Sequence, residues 1–305
     1  GVMTALALSY CGYGSATAPA ITLIDRANRR DNSAKAKTDD YRTTTIHSAG
    51  MAMLDALGVW PLITKNATSI SRIKVTHGLP QQYKLNRRQR SEFSLDWHDG
   101  DTPMAYVVSN QDLLNALYDR LSTRPIIRIN GHDVVGFDPG NNYARLRFDN
   151  RPDLPCRLVI ACDGANSKLR SYASIRTFSE PHQQTAIIAN LKSERDHENT
   201  AFQRFLPGGP IALMPYGAKR VSLVWSLPKD QAERLMTVDG DDFTRLVLTS
   251  FGETLGPLKL DGPRLSWPLK PSITGKLTSD NLILAGDASH AIHPLAGQGY
   301  NLALG

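Results

Sequence analysis

Two apolar runs that each end at an aspartate beside a glycine constrain the fold of this chain most strongly. "CRLVIACDG" covers residues 156–164, and "NLILAGD" covers residues 281–287. A continuous apolar run of this length predicts a strand that is buried on both faces of a parallel sheet. Such sheets bind ligands at the carboxyl ends of their strands. The runs therefore predict that Asp163 and Asp287 lie at a ligand-binding edge, although each run alone also fits an ordinary surface turn.

The beginning of the chain is compatible with part of a dinucleotide-binding unit. Gly1 opens a helical pattern, and the strand-like run "AITLID" then ends at Asp25, 24 positions after Gly1. In such units a glycine lets helix and strand pack closely, and an acid about 20 residues later binds the adenosine ribose. A plain helix–strand pair with a surface aspartate fits these residues equally well. The first strand and two glycines of the pattern are missing and the last residues only begin a helix, so we expect an interior piece of a longer reading frame.

The last motif offers donors and acceptors for a phosphate-bearing ligand. "GQG" at residues 297–299 precedes "YNLALG", which reads as a helix start. Exposed backbone N–H groups at a helix start attract phosphate or a polarised carbonyl oxygen. Asp287 can accept a hydrogen bond from a ribose or ribityl hydroxyl, and Arg170 can pair with a phosphate or with Asp163. These features favour a nucleotide site.

A metal site is the competing interpretation of the same region. Asp287, His290 and His293 are ligand types, and the two histidines are three residues apart. However, Pro294 follows at once, and no third nitrogen ligand has the spacing of a zinc site. The pattern favours a packing or hydrogen-bonding role for the histidines.

The order of the predicted elements indicates an α/β protein with an inserted sheet. Helix and strand patterns alternate at both ends, and leucines at helical spacing predict a helix over "SNQDLLNALYDRL", capped by Ser109 or Asn110. Residues 185–270 contain mainly strand-like runs, which one predicted helix, "DDFTRLVLTSF", interrupts. Alternation at the ends and strands in the middle predict a parallel α/β layer with an inserted antiparallel sheet.

Composition and charge exclude some classes of protein. The 305 residues include 41% hydrophobic ones, no apolar run long enough to span a bilayer, and no signal-peptide pattern. Three cysteines, Cys11, Cys156 and Cys162, give no even-numbered disulfide framework, which favours a reduced, cytosolic compartment. The net charge is +6, with basic clusters such as "NRRQR" at residues 86–90. These clusters fit solvated loops, and they also fit a surface that binds an anionic membrane. Nucleic acid is disfavoured as a partner because aromatic residues do not alternate with the basic residues.

Taken together, the motifs resemble those of the FAD-dependent aromatic-ring monooxygenases. The resemblance lies in "DGANSKLR", in "GDASHAIHPLAGQGYNLALG" and in the spacing of "YRTTTIHSAGMAMLDALGVW" after Asp25. Within that family, "YVVSNQDLLNAL", "HENTAFQRFLPGGPIALMP" and "VSLVWSLP" are similar to the ubiquinone-biosynthesis hydroxylases. The similarity covers essentially the whole chain.

The resemblance implies a fold and a division into domains. The expected fold is a Rossmann-type FAD-binding domain with an inserted antiparallel β-sheet substrate domain. The FAD-binding domain is expected to comprise residues 1–70, 101–172 and 274–305. The substrate-binding sheet is expected to comprise residues 71–100 and 173–273.

The resemblance also assigns cofactor contacts in the first half of the chain. Gly1 corresponds to the third glycine of the dinucleotide fingerprint, and Asp25 to the ribose ligand. Arg42 matches the family arginine that reaches the cofactor's phosphate and flavin region. Asn110 or Gln111 occupies the helix start where many relatives have arginine, so the resemblance does not decide how that position contacts FAD.

In the second half, the implied contacts follow the two apolar runs. Asp163 and Gly164 belong to a motif that is linked to FAD and to nicotinamide cofactor binding. Asp287 is expected at the ribityl or pyrophosphate region and Pro294 beside the flavin ring. The backbone N–H groups of residues 297–299 are expected to face the ring. The glycines and amides of the last motif that complete the expected cofactor site are Gly286, Gly297, Gln298, Gly299 and Asn301.

The implied reaction is hydroxylation of the ring of a polyprenyl phenol in ubiquinone biosynthesis. The family uses FAD, with NAD(P)H as reductant and O2 as oxygen donor, through a flavin C4a-hydroperoxide. No residue is evident as the base for the phenol; Tyr216, His182 and His197 are candidates by residue type only. The expected partners are a lipophilic aromatic substrate and O2, without nucleic acid. The expected location is the cytoplasm, with peripheral association to the inner membrane or a multi-enzyme complex.

Two alternatives remain open. A related FAD-dependent oxidoreductase of the prenyl reductase or halogenase type would share the same motifs, although the Trp-x-Trp-x-Ile-Pro pattern of the halogenases is absent here. A truncated chain with impaired FAD binding is the other alternative.

Overall fold

The computed structural model describes residues 1–12, 19–27, 40–78, 93–100, 102–179, 184–293 and 299–304. These residues contain eight α-helices and 22 strands in six sheets. In chain order the helices are α1 (Val2–Tyr10), α2 (Ser48–Ala56), α3 (Trp60–Ile63), α4 (Asn110–Leu121), α5 (Lys168–Tyr172), α6 (Lys229–Thr237), α7 (Gly240–Phe251) and α8 (Gly299–Leu304). None of these described helices is long and apolar enough to cross a membrane.

The strands are short, and many of them pair with partners that are distant in sequence. In chain order they are β1 (Ile21–Asp25), β2 (Thr43–His47), β3 (Thr68–Ile70), β4 (Arg72–His77), β5 (Phe93–His98), β6 (Ala105–Ser109), β7 (Ile126–Asn130), β8 (Val134–Asp138), β9 (Ala144–Phe148), β10 (Leu154–Cys156), β11 (Val159–Ala161), β12 (Thr177–Ser179), β13 (Gln184–Ser193), β14 (Thr200–Leu206), β15 (Gly209–Pro215), β16 (Arg220–Pro228), β17 (Leu258–Leu260), β18 (Leu265–Leu269), β19 (Ser272–Thr274), β20 (Thr278–Ser279), β21 (Leu282–Leu284) and β22 (His290–Ala291).

Parallel pairing is concentrated in the part of the chain that reads as α/β. β1 pairs in parallel with β7, and β11 pairs in parallel with β21. Helices α1, α2 and α4 bury their apolar faces in one core beside these strands, around Leu6, Leu54 and Leu121. Ser109 caps α4, because its hydroxyl accepts hydrogen bonds from the backbone N–H groups of Gln111 and Asp112. The predicted helix and one of its two predicted caps are thus observed.

The run at residues 156–164 is not one continuous strand. β10 pairs antiparallel with β9, whereas β11 pairs parallel with β21, so the chain changes sheets between Cys156 and Val159. Leu158, in the break, is 49% exposed, while Val159 and Ala161 are buried. The prediction of a single buried strand was therefore too long, since an apolar run does not reveal which partner each residue pairs with.

An eight-stranded sheet forms the strand-rich middle of the chain. Its order is β17-β13-β16-β15-β14-β4-β5, and β18 also pairs with β13. All its pairs are antiparallel except β14 with β4, which is parallel and joins distant segments. The predicted combination of a Rossmann-type α/β layer and an inserted sheet is confirmed, with this one parallel pair as a correction. The predicted domain boundaries remain a prediction.

Side chains alternate between the two faces of this sheet, and one of these faces packs against helices. On β13 and β16, Ile187, Leu191, Leu223 and Trp225 are buried on one face, against helices α6 and α7. Two helices cover this face, although the sequence predicted only α7. The short α6 is polar, and it buries only Ala232 and Leu235, so its apolar stripe is too weak to be read from the sequence.

The other face of the same strands carries smaller side chains. Ala186 and Ile188 on β13 and Ser222 and Val224 on β16 border a large groove between the sheet and the α/β layer. One face of the sheet therefore packs against the helices, and the opposite face forms a wall of the groove.

We expect the helix-covered face to carry much of the stability of this sheet. Leu223→Ala should lower the free energy of unfolding by about 3 kcal/mol, because Leu223 is fully buried and its truncation leaves a cavity. Leu246→Ala is the control, since Leu246 is 41% exposed on α7, and it should cost about 0.5 kcal/mol. Urea unfolding followed by circular dichroism measures both. Equal losses would contradict this account of the core.

Candidate cofactor groove

Asp163 and Asp287 follow neighbouring strands of one parallel pair. Ala161 at the end of β11 lies opposite Leu284 at the end of β21, and the N–H of Ala285 donates to the carbonyl of Ala161 at 2.9 Å. Pairing thus continues to the residues just before the two aspartates. Both carboxylates are exposed and border the same groove.

The groove is long and open. Its volume is about 3010 Å³, several times the roughly 300–1,000 Å³ of a pocket for one drug-sized ligand. Strands β1 and β11 border it on the α/β side, and β13, β16 and β18 border it on the side of the eight-stranded sheet. A dinucleotide and a second molecule would both find room there.

Positive charge exceeds negative charge along the described walls of the groove. Four aspartates border it, together with six cationic side chains: Arg26, Arg42, Arg157, Lys168, Arg170 and Lys270. Such a balance attracts an anionic ligand. The separate aspartates still offer acceptors for hydroxyl groups.

Asp25 is the last residue of β1 and borders the groove, as does Gly1 at the start of α1. Its Oδ1 accepts a hydrogen bond from the N–H of Ala27 at 2.9 Å, and its Oδ2 accepts one from the hydroxyl of Tyr118 at 3.0 Å. A Cβ added at Gly1 would lie 3.5 Å from Cys162 Cβ and 3.8 Å from Leu23. Gly1 therefore fits between β1 and the end of β11, at ordinary contact distances.

Arg42 is held by two neighbours in the groove. Asp40 accepts hydrogen bonds from its Nε and Nη2, both at 2.8 Å, and the guanidinium lies 5.6 Å from the ring centre of Trp267. The hydrogen bonds with Arg42 lower the pKa of Asp40, and the same bonds raise the pKa of Arg42. The guanidinium is thereby oriented before any ligand binds.

The structure distinguishes between Asn110 and Gln111, the two candidates for a ligand contact at the start of α4. Asn110 borders the groove, and its Oδ1 accepts a hydrogen bond of 2.5 Å from the Thr44 hydroxyl. Gln111 does not border the groove; its amide donates to Asn115 one turn further along α4. The geometry favours Asn110 over Gln111 as the residue that reaches a ligand.

Arg170 ties together the loops that carry the two aspartates. Its side chain is buried, and it donates to the carbonyl of Ala288 at 2.8 Å and to the carbonyl of Ala165 at 2.7 Å. Of the two partners that the sequence allows for Arg170, Asp163 is not the one observed, and a phosphate partner stays a prediction. Asp163 accepts from the N–H of Leu169 instead, because the guanidinium is turned toward the main chain.

Both loops also use a left-handed glycine conformation. Gly164 has φ +85° and Gly286 has φ +58°, values that residues with a side chain rarely adopt. Gly286 does not border the groove; its carbonyl accepts from the backbone N–H and the hydroxyl of Ser289. These glycines make the turns that bring the aspartates to the surface.

Helix α8 brings a tyrosine and an asparagine to the region. Burial raises the pKa of Tyr300 to about 12, and its Oη is buried without a hydrogen-bond partner among the described residues. Tyr300 and Gly299 border the groove.

The amide of Asn301 accepts from the N–H of His47 and donates to the carbonyl of Thr45, so it joins α8 to β2. Pro294, Gly297 and Gln298 lie outside the described residues.

The histidines near Asp287 contact other side chains. His290 shares a hydrogen bond of 2.9 Å with the Ser289 hydroxyl, and His293 shares one of 3.2 Å with the amide oxygen of Gln184. The described part of the chain contains no group of three or more His, Cys, Asp or Glu residues that could hold a metal ion.

The residues considered as a base for a phenol do not gather in the groove. His197 is buried, with its Nε2 2.7 Å from the carbonyl of Gly217 and its Nδ1 accepting from Asn199. Neither His197 nor Tyr216 borders the groove. His182 lies outside the described residues. The base therefore stays unassigned.

Sequence reasoning missed three residues of this site. Asp40 and Trp267 orient Arg42, and Tyr118 donates to Asp25. For Tyr118 the sequence did contain a signal: Asn110, Leu114 and Tyr118 are spaced four residues apart and so share one side of the predicted helix. In the structure all three border the groove. The other two gave no signal, since their contacts depend on how distant segments fold together.

Comparison with known proteins supplies a family. The model of the family described as "FAD binding domain" matches residues 1–305. A ubiquinone hydroxylase UbiL of Rhodospirillum rubrum is 30% identical over 266 residues, which are 87% of this chain and 60% of that protein. A 3-demethoxyubiquinol 3-hydroxylase of Escherichia coli is 27% identical over 98% of this chain and 73% of its own. The chain spans about 60% of the Rhodospirillum protein and of a Synechocystis relative.

Solved structures agree on the fold. PqsL of Pseudomonas aeruginosa, in complex with 2-aminobenzoylacetate, superposes with a TM-score of 0.75 at 18% identity, over 99% of this chain and 80% of that one. The 2-methyl-3-hydroxypyridine-5-carboxylic acid oxygenase superposes with a TM-score of 0.72 at 15% identity, over 100% of this chain and 76% of that one. At such identities the likeness concerns the fold alone.

The contacts of Arg170 predict that its shape matters more than its charge. Arg170→Lys keeps the charge but cannot donate to two divergent carbonyls, so the free energy of unfolding should fall by roughly 1–3 kcal/mol. Arg176→Lys, at an exposed position of the following segment, serves as the control and should change it by less than about 0.5 kcal/mol. Denaturant unfolding measures both variants. Equal stability of Arg170→Lys and the unchanged protein would contradict the role of Arg170 as a tie between the loops.

Proposed function

Because this chain belongs to the FAD binding domain family, we propose that it is part of an FAD-dependent monooxygenase that hydroxylates the ring of a polyprenyl phenol in ubiquinone biosynthesis. NAD(P)H is the proposed reductant and O2 the oxygen donor. The observation that carries the proposal is the common groove, which Asp25, Arg42, Asp163 and Asp287 border on one side and the apolar face of the sheet on the other. The names of the bacterial relatives support ubiquinone biosynthesis as the setting.

The chemistry of the donor set fits FAD. Asp25 and Asp287 offer carboxylate oxygens for ribose or ribityl hydroxyls, since an ionised carboxylate has several acceptor sites. Arg42 and the N–H groups at the start of α1 suit the pyrophosphate. Tyr300 also borders the groove, and its Oη is buried without a partner among the described residues. When bound, FAD supplies electron transfer from NAD(P)H and activation of O2 for transfer to an electron-rich ring.

The wall of the eight-stranded sheet is suited to an aromatic substrate. Ala186, Ile188 and Val224 give a mostly apolar surface, and Trp267 extends it while remaining 58% exposed. A large exposed aromatic side chain in a groove is a common feature of binding sites. This wall would hold the ring of the substrate and exclude water from it.

Attachment to a membrane surface is part of the proposal. A polyprenyl tail is lipophilic, and the net charge of +6 favours an anionic bilayer surface. The proposed location is the cytoplasmic face of the inner membrane, alone or in a multi-enzyme complex. Vesicle co-sedimentation with anionic and neutral lipids measures this association.

A reconstitution experiment tests the reaction. We expect the purified protein to bind FAD, and NAD(P)H oxidation to consume O2 and add one oxygen atom to a short-chain polyprenyl phenol. The measurements are the flavin absorbance spectrum, oxygen uptake and product mass. Absence of a flavin spectrum after incubation with FAD would contradict the proposal. Substrate reduction without oxygen uptake would contradict it in favour of a reductase.

The exposed tryptophan of the groove should contribute to substrate affinity. Trp267→Ala should raise KM for the aromatic substrate by about tenfold, because an aromatic contact and its buried area are lost. Trp97→Ala is a matched control: Trp97 is 60% exposed on β5 and does not border the groove, so KM should not change. Steady-state kinetics at saturating FAD measures both variants. Equal KM values for the two variants would contradict this assignment of the substrate wall.

A further inference from the structure

One face of α4 lies along the groove and ends at Asp25. Asn110, Leu114 and Tyr118 are spaced four residues apart and all border the groove, as neighbours on one side of a helix do. Leu113, Leu117 and Leu121 are buried on another side of the same helix. Burial of these leucines fixes the rotation of α4, so the position of Tyr118 is set by the core.

The hydroxyl of Tyr118 is a side-chain donor to the Asp25 carboxylate. It donates to Oδ2 at 3.0 Å, while the N–H of Ala27 donates to Oδ1 at 2.9 Å. An ionised carboxylate has about four acceptor sites, so Asp25 can accept hydrogen bonds from a ligand in addition to these donors. The carboxylate cannot rotate without losing one of these two bonds.

The ring of Tyr118 is itself held in place. The guanidinium of Arg128, on β7, lies 5.2 Å from the ring centre, within the range of cation–π attraction. β7 pairs with β1, and Asn130 lies opposite Asp25 in that pair. Tyr118 therefore contacts the end of β1 and the strand that supports β1.

We propose that Tyr118 is a positioning residue for recognition of the adenosine half of FAD. Its hydroxyl holds the carboxylate of Asp25 in the orientation in which that carboxylate accepts hydrogen bonds from a vicinal diol such as a ribose. This inference rests on the proposed function, since it takes FAD as the ligand. It goes further in naming a residue outside the strand–helix motif as a determinant of cofactor affinity.

A comparison of two flavins tests the inference. Tyr118→Phe removes only the hydroxyl, and it should weaken FAD binding by about fivefold to tenfold, as expected for loss of one charge-assisted hydrogen bond. Affinity for FMN should stay the same, because FMN lacks the adenosine half. Quenching of flavin fluorescence measures both dissociation constants. Tyr172→Phe, on α5 and away from the groove, is the matched control and should leave both unchanged.

A double-mutant cycle separates positioning from a general structural effect. In an Asp25→Asn background, Tyr118→Phe should add less than about twofold to the loss of FAD affinity, because the carboxylate that it orients is gone. Equal FAD affinity of Tyr118→Phe and the unchanged protein would overturn the inference alone. So would equal weakening of FAD and FMN binding, or a full additional loss in the double variant. Failure of the unchanged protein to bind FAD would overturn the proposed function as well.

Discussion

The parallel pairing of β11 with β21 is the constraint on which the groove depends. These strands are three residues long each, and they are separated by more than 100 residues of chain. The hydrogen bond from Ala285 to Ala161 extends the pair to its last position, so both loops begin at the same height of the sheet. A slip of one residue would turn the buried Ala161 and Leu284 outward. Burial of these side chains therefore fixes where the two aspartates stand relative to each other.

The buried arginine between the loops maintains this arrangement beyond the strand ends. Arg170 is a cation with its side chain buried, and the cost of burying it is offset by hydrogen bonds to two main-chain carbonyls rather than by a carboxylate. The hydrogen bonds of Arg170 therefore do not occupy the carboxylates of Asp163 and Asp287. A direct ion pair between Arg170 and Asp163 would have neutralised one of the acceptors that a hydroxyl-bearing ligand needs.

The sequence was informative where the signal is local and less so where it depends on tertiary pairing. Glycine turns after apolar runs revealed Asp163 and Asp287, and the leucine period of α4 revealed a helix with its cap. The break between β10 and β11 was missed, because two strands of opposite pairing share one apolar run. The orientation of Arg42 was also missed, since Asp40 precedes it in a loop and Trp267 comes from a strand more than 200 residues away. Family resemblance supplied residue types but not these contacts.

Helix α4 contacts two separate parts of the groove wall. Asn110 is bonded to Thr44 and to the main chain of Arg42, and Tyr118, two turns further along, is bonded to Asp25. Eight residues of α-helix separate them by about 12 Å, a distance that the helix backbone keeps fixed. The buried leucine stripe prevents α4 from rotating independently of the core. One helix thus sets both the spacing and the orientation of Asn110 and Tyr118 along the groove, so a change in its core packing would move both side chains.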